Sequence, residues 1–358
     1  MRVLAKLLPC LTGVALAAQQ QPPAPDVIRV TVQEVVAAVT VVDRHGNYVN
    51  GLEPKDFTVY DNGIEQNIKV DVSFVPISLV VCIQANHAVE EVLPRIKTIG
   101  PLLENLVVGE QGEIAVIAFD HRIRVMQDFT SQGDLVKQAI EKIQPGSTTS
   151  RLVDTMFNAA RMLRNRPKER RRIILMISET QDRGSEGETR EALLAVQFPN
   201  IMVYTININR AITALTAKSL PPRPDHVPPA ARAPLPGGAP RTPTTVAQVG
   251  GLGGQSADFV PVMVEIFRQV KAIFVPNPAE VFTRYTGGRE YSFVTRENLQ
   301  QAIAHIGEEL HSQYLISYSP TSPTMKKDAG WHHIKVDVHR PGLKVRTREG
   351  YWMAGDSE

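Results

Sequence analysis

The stretch VVCIQANHAVEEV, Val80–Val92, decides the fold. Val80 to Ile83 are apolar in succession, without the alternation of a strand that has one wet face, so this strand is expected to be covered on both faces. It runs into a polar loop, Gln84-Ala85-Asn86-His87, and then into a helix-like pattern. That order puts the loop at the carboxyl end of a strand, where open α/β sheets hold their ligands.

The same rhythm continues outward. Strands are expected at ISLVVCI (77–83), EIAVIAF (113–119), RIILMIS (172–178) and NIMVYTINI (200–208), separated by helical patterns such as AVEEVLPRIKTIGPLLENL and RLVDTMFNAARMLRN. IRVMQDF, beyond Asp120-His121-Arg122, reads as the far strand of an antiparallel edge hairpin. FVPVMVEIFRQVKAIF and AEVFTRYTG read as helical, REYSFV as a final strand and ENLQQAIAHIGEELHSQ as a closing helix. The fold class is therefore α/β, a doubly wound, mostly parallel, Rossmann-like sheet over residues 76–312. Residues 217–257, with PPRPDHVPPAARAPLPGGAPRTPTT and GGLGG, carry proline and glycine too densely for a ladder or a helix and read as a disordered insertion within that domain.

The flanks alternate instead. Residues 27–75 read as an N-terminal β unit, in which Asp61-Asn62-Gly63 marks a tight hairpin. Residues 313–352 supply QYLISYSP, WHHIKVDVHRP and LKVRTREGYW, expected as edge-type antiparallel strands with Ile334, Val336 and Val338 on one face. The two flanks are expected to form a small accessory antiparallel β module, pairing into one sandwich-like unit.

The leader MRVLAKLLPCLTGVALAAQQ places Arg2 and Lys6 before an apolar run that ends in Ala15-Leu16-Ala17. It reads as a signal peptide over residues 1–18, followed by a mature tail at 19–26, so the protein is expected to be exported, periplasmic or secreted. No other stretch has the ~20 apolar residues of a membrane helix. Cys10 would leave with the leader, and Cys82 then stands alone in an apolar strand, which leaves no internal disulfide. Of 358 residues, 43% are hydrophobic and 21% charged, and a net charge of +2 gives no reason to expect nucleic acid as a partner.

VVDRHGNYVNGLEPKDFTVYDNGIEQ, FDHRIRVMQDFTSQGDLVKQAI, RYTGGREYSF, HSQYLISYSP and RPGLKVRTREGYW occur in this order over about Val27 to Trp352. In them the chain resembles the von Willebrand factor type A domain, and more closely the exported acidobacterial von Willebrand factor A-related family. The resemblance implies a bacterial, non-enzymatic adhesion module whose site holds Mg²⁺ or Ca²⁺ through Asp-x-Ser-x-Ser, a loop Thr and a later Asp. Carried across, these positions fall on Gln84, Asn86 and Ala88, on Ser150 (or Thr148 or Thr149), and on Glu179. With one carboxylate left, the resemblance implies a degenerate site without a high-affinity cation. Gln84, Asn86, Ser150 and Glu179 remain candidates for weak Ca²⁺ or Mg²⁺, against a polar network that closes the loops without an ion.

Other patterns have plainer readings. The basic run from Arg161 to Arg172 reads as a helix carboxyl end followed by a solvated loop, because no aromatic residues interleave it. Pro145-Gly146-Ser147-Thr148-Thr149-Ser150 lacks a phosphate-loop lysine, and Ser150 or Thr149 reads as a helix N-cap. His332 and His333 fall on opposite strand faces and His339 shares that of His333, poor ligand geometry that reads as a solvated strand face, and Cys82 reads as buried and inert. No nucleophile elbow occurs. The functional expectation is an exported module that binds a protein partner, of unknown identity, through the loops around Gln84–Ala88, Ser147–Ser150 and Glu179–Asp182. Three readings compete with it: a weakly Ca²⁺-assisted adhesion protein at the same site, an exported hydrolase on a doubly wound sheet, and a structural component of an envelope assembly.

Overall fold

Every residue from Ile77 to Gln84 is buried, so the apolar run that opens the fold is the middle of a sheet covered on both sides. The computed structural model describes residues 34–71, 75–104, 109, 111–208, 277–320 and 330–353. The expected leader, the mature tail, the 217–257 insertion and the helical stretch before Pro276 lie outside the described residues.

In chain order the first strands are β1 (Val35–Val42), β2 (Phe57–Asp61), β3 (Ile64–Glu65) and β4 (Lys69–Asp71). Next come β5 (Ile77–Gln84), β6 (Glu113–Phe119), β7 (Ile123–Thr130), helices α1 (Gly133–Glu141) and α2 (Leu152–Arg164), and β8 (Arg171–Ser178). They are followed by α3 (Thr189–Gln197), β9 (Met202–Ile208), α4 (Pro278–Thr286), β10 (Glu290–Phe293) and α5 (Arg296–Ser312). Last are β11 (Tyr314–Tyr318), β12 (Gly330–Val338), β13 (Lys344–Arg346) and β14 (Gly350–Met353).

The central sheet has six strands in the order β10-β9-β8-β5-β6-β7. All its pairs are parallel except β6 with β7, the antiparallel edge the sequence predicts. One face packs under α1, α5 and short helical turns, where Leu79, Val81 and Ile83 share a core with Ile140, Ile303 and Ile306. The other face packs under α2, α3 and α4, where Val80 and Cys82 share a core with Met156, Val196 and Phe282. The segment predicted as one helix from Ala88 onward is instead broken into short turns at His87–Val89, Leu93–Ile96, Lys97–Ile99 and Gly100–Leu102. Pro94 and Pro101 lack the N–H that would bond to the preceding turn, and each sits at the start of a new one.

The flanking segments form two four-stranded sheets, β13-β1-β11-β4 and β14-β12-β2-β3. N-terminal strands pair with C-terminal ones: Ala37 lies opposite Ile316 and Val59 opposite Val336. The sheets share a core of Val39, Val41, Phe57, Val59, Ile316 and Val336. Asn62 and Gly63 both take positive φ, 48° and 83°, the backbone a two-residue hairpin turn demands. β11 and β12 are interior strands and not the edge strands expected, since β1 and β4 flank the first and β14 and β2 the second. His333 and His339 are exposed as expected, but His332 is buried, its Nδ1 3.0 Å from Asp61 Oδ1. It shares the inward face of Ile334 and Val336, so alternation alone puts it inside.

The basic run ends α2 at Arg161 and Arg164, and Lys168 and Glu169 are exposed in the loop as expected, but three of its arginines are not solvated. Arg166 binds the Glu113 carboxylate through Nε at 2.7 Å and a terminal nitrogen at 2.5 Å. Arg170 donates to Ser78 Oγ at 2.8 Å and to the carbonyls of Ile77 and Gln111. Arg172 reaches the carbonyls of Pro199 and Arg166. These guanidiniums bind chain segments together at the amino ends of the parallel strands.

Glu309 of α5 is fully buried where the central sheet meets the β1 sheet. Arg346 forms an ion pair with it. Tyr204 donates to it at 2.6 Å and Gln313 at 3.2 Å. Arg171 binds Gln313 Oε1 at 2.5 Å, and Gln313 in turn donates to Thr40 at 3.1 Å. Removing one partner of a buried ion pair leaves the other charge uncompensated. Arg346→Leu is therefore expected to lose about 3 kcal/mol or more of stability by urea denaturation; a loss under about 1 kcal/mol would show that Glu309 does not depend on the pair.

Candidate functional site

β5 and β8 are neighbours, and both end at the carboxyl edge of the sheet. Gln84, the last residue of β5, is fully buried. Its Oε1 accepts the backbone N–H of Glu179 at 2.8 Å, and its Nε2 donates to Asn86 Oδ1 at 2.9 Å. Asn86 Nδ2 then donates to the Thr148 carbonyl at 3.3 Å. A chain of two side-chain amides thus links the loops after β5, before α2 and after β8. Backbone bonds reinforce it, from Gly146 N–H to the Ala85 carbonyl at 2.7 Å and from His87 N–H to the Ser147 carbonyl at 2.8 Å.

Ser150 is buried, and its Oγ donates to the Gln181 carbonyl at 3.0 Å. Gln84, Asn86 and Glu179 are therefore joined directly, while Ser150 is tied to the loop that follows Glu179. Ala88 lies in the helical turn His87–Val89 and brings no side-chain oxygen. Only Glu179 among the five positions carries a carboxylate, and the amide oxygens of Gln84 and Asn86 both accept N–H groups. Mg²⁺ wants near-octahedral oxygen ligands at ~2.0–2.1 Å and gives up water reluctantly, so this donor set does not suit it. Among the described residues, no group of three His, Cys, Asp or Glu side chains is placed to hold a metal ion. Cys82 lies fully buried under this edge, and burial pushes its thiol pKa up, away from reactivity.

Several residues that build the site escaped the sequence reading. Helix α2 begins after Arg151 with no cap from its own N-cap side chain, so neither Thr149 nor Ser150 is the expected cap. Its free N–H groups are met from the far loop: Asp182 Oδ2 accepts from Val153 at 3.1 Å and Ser185 Oγ from Asp154 at 3.0 Å. Asp154 returns the contact by accepting from Glu186 and Gly187 at 3.0 and 2.9 Å, and it binds Arg151 at 2.8 Å. Asp120, also buried, lies beneath Gly146, where an added Cβ would fall 1.6 Å from its Oδ2. Only glycine lets that loop lie so close. Asp182 and Ser185 sit three apart in a Gly-containing loop, a local turn signal that gave no hint of the distant helix end.

Two substitutions test the bridge and its support. Gln84→Ala removes the partner that the Glu179 N–H and Asn86 Oδ1 share and should cost about 1–3 kcal/mol in urea unfolding; an unchanged midpoint would mean that water replaces the amide fully. For Asp154, burial alone raises the pKa, but the N–H groups of Glu186 and Gly187 and the Arg151 guanidinium outweigh it and hold the carboxyl below its ordinary 3.8. Its stabilisation is thus present at neutral pH and is lost as pH falls through the depressed folded value. Asp154→Asn should be less stable than the parent at pH 7, and the gap should close as pH falls through the depressed folded value. Midpoints measured across pH would refute this if the gap stayed constant.

Residues 80–181 match the family model described as von Willebrand factor type A domain. No curated protein matches the chain. Among solved structures it is similar to the conserved hypothetical protein BatB from Bacteroides thetaiotaomicron, at 12% identity and a TM-score of 0.37, over 65% of this chain and 99% of that one. It is also similar to an aerotolerance-related membrane protein from Bacteroides fragilis, at 15% identity and a TM-score of 0.37, over 64% and 98% of the two chains. The fold assignment rests on the family match and on the sheet order, in which β5 stands between β6 and β8 with the Gln84 loop at the carboxyl edge. The chain thus has a von Willebrand factor type A fold, with its family match running from Val80 to Gln181.

Proposed function

We propose that the protein is an exported, non-enzymatic binding module that recognises a protein partner through the loops at Gln84–Ala88, Ser147–Ser150 and Glu179–Asp182, without a high-affinity cation. The observation that carries this reading is the amide chain from Glu179 N–H through Gln84 and Asn86 to Thr148. It spans the place where the related domains hold their ion, and it performs with neutral groups the task of fixing the three loops together. Loops fixed in this way present a preformed surface, which lowers the entropy cost of binding.

The domain type favours interaction over catalysis. Export is inferred from the leader, Met1 to Ala18. No helix among the described residues is long and apolar enough to cross a membrane. The partner is a protein because a loop crown on a rigid sheet offers a broad surface for recognition.

The test is a pull-down from envelope extract with the full chain, run with and without chelator. The captured partner should be the same in both, and Gln84→Ala or Asn86→Ala should weaken capture by about ten-fold. Capture lost on chelation would reject the cation-free reading. Capture unaffected by substitutions in all three loops would reject this surface.

A further inference from the structure

A second polar cluster begins at Ser178, the last residue of β8, and lies on the side of β9 and β10 that faces α4. Side chains alternate along β9, so Val203, Thr205 and Asn207 share one face. The parallel register sets Glu290 beside Thr205 and Ser178 beside Asn207 on that same face. Ser178 and Thr205 are fully buried and Asn207 is 7% exposed. Asn207 donates through Nδ2 to a carboxylate oxygen of Glu290. Its own Oδ1, Thr205 Oγ1 and Ser178 Oγ have no hydrogen-bond partner among the described residues.

Buried polar atoms in native proteins are nearly always bonded, and one left alone points to a bound water or ion. Here three lie side by side. A second carboxylate, Glu280, stands in the first turn of α4. That helix packs on this same face of the sheet, where Phe282 meets Val203. Glu290, bonded to Asn207, thus lies beside buried oxygens that lack partners, an arrangement that a cation relieves.

We propose that Glu280, Glu290, Asn207 and Thr205 form a binding site for one hard divalent cation of the calcium type. Carboxylate, amide and hydroxyl oxygens are the ligands Ca²⁺ accepts, and its loose geometry lets waters fill the places that four side chains leave open. Mg²⁺ fits less well, because it demands a regular octahedron. The site differs in chemistry from the positions Gln84, Asn86, Ala88, Ser150 and Glu179: it has two carboxylates where those five have one. With two negative charges its dissociation constant is expected at about 10⁻⁴–10⁻³ M, the range of extracellular calcium modules.

Calorimetry of the full chain with CaCl₂ and MgCl₂ tests it. Calcium should bind once, with magnesium weaker, and Glu290→Gln and Glu280→Gln should each weaken calcium by about ten-fold or more, because affinity follows ligand charge. Asn207→Ala should also weaken it, while Glu179→Gln should leave it within about two-fold. Melting of each variant in chelator shows whether the fold is kept, and only variants that melt like the parent are scored. No calcium heat in the parent up to about 10 mM would overturn the site and leave an ordered water as the partner of Asn207. Calcium binding lost in Glu179→Gln and kept in Glu290→Gln would overturn it equally, and would place the ion at the crown, against the cation-free reading proposed above.

Discussion

Glu309 is a carboxylate with no exposed surface, and the rest of the architecture is arranged around keeping it paired. A buried charge is tolerated only where opposite charge and hydrogen bonds surround it. Its partners come from separate parts of the chain: Tyr204 from β9, Gln313 after α5 and Arg346 from β13. Thr40 of β1 and Arg171 of β8 complete the network through Gln313. Satisfying one acid therefore requires the central sheet, its closing helix and strands from both flanks to meet at one point. That requirement fixes how the antiparallel strands sit against the parallel sheet, which apolar contact alone leaves free to slide.

The same logic of mutual satisfaction operates at the carboxyl edge of the sheet. Gln84 has one acceptor and one donor head, and each finds a partner on a different residue of the crown. Asp182 and Ser185 meet the free N–H groups of α2, and Asp154 meets those of the opposite loop. The crown is therefore held by reciprocal neutral and charge-assisted hydrogen bonds. A cation would hold the same loops by central charge and would depend on the supply of the ion; the amide chain carries its own geometry in the sequence. The buried Asp120 beneath Gly146 and the guanidiniums at the opposite edge extend this pattern to both ends of the sheet.

Much of this was legible in advance where one physical rule acts locally. The runs at 113–119 and 200–208 gave strands almost to the residue, because short continuous apolar sequence flanked by turns suits a doubly covered strand. Asn62-Gly63 fixed its hairpin because few other pairs take positive φ at low cost. The positions of Gln84, Asn86, Ser150 and Glu179 could be named, but not the bonds between the loops, since those join residues distant in sequence. The arginine run misled for a related reason: charge density resembles a solvated loop until the strand ends that receive it are in place. Glu309 left a trace, standing three residues after Ile306 and four before Gln313 on the inward stripe of α5, and a polar residue on such a stripe asks for a partner.

By itself the sequence determined the alternation of covered strands and helices, the antiparallel character of both flanks and the single carboxylate among the five expected ligand positions, because hydrophobic period and residue chemistry are properties of short segments. Tertiary structure alone decided that β11 and β12 lie inside their sheets, that Arg166, Arg170 and Arg172 bind strand ends, and that Gln84 and Asn86 bridge three loops. Those outcomes depend on which distant groups meet after burial, where an unpaired donor or charge costs enough to select one arrangement over its alternatives.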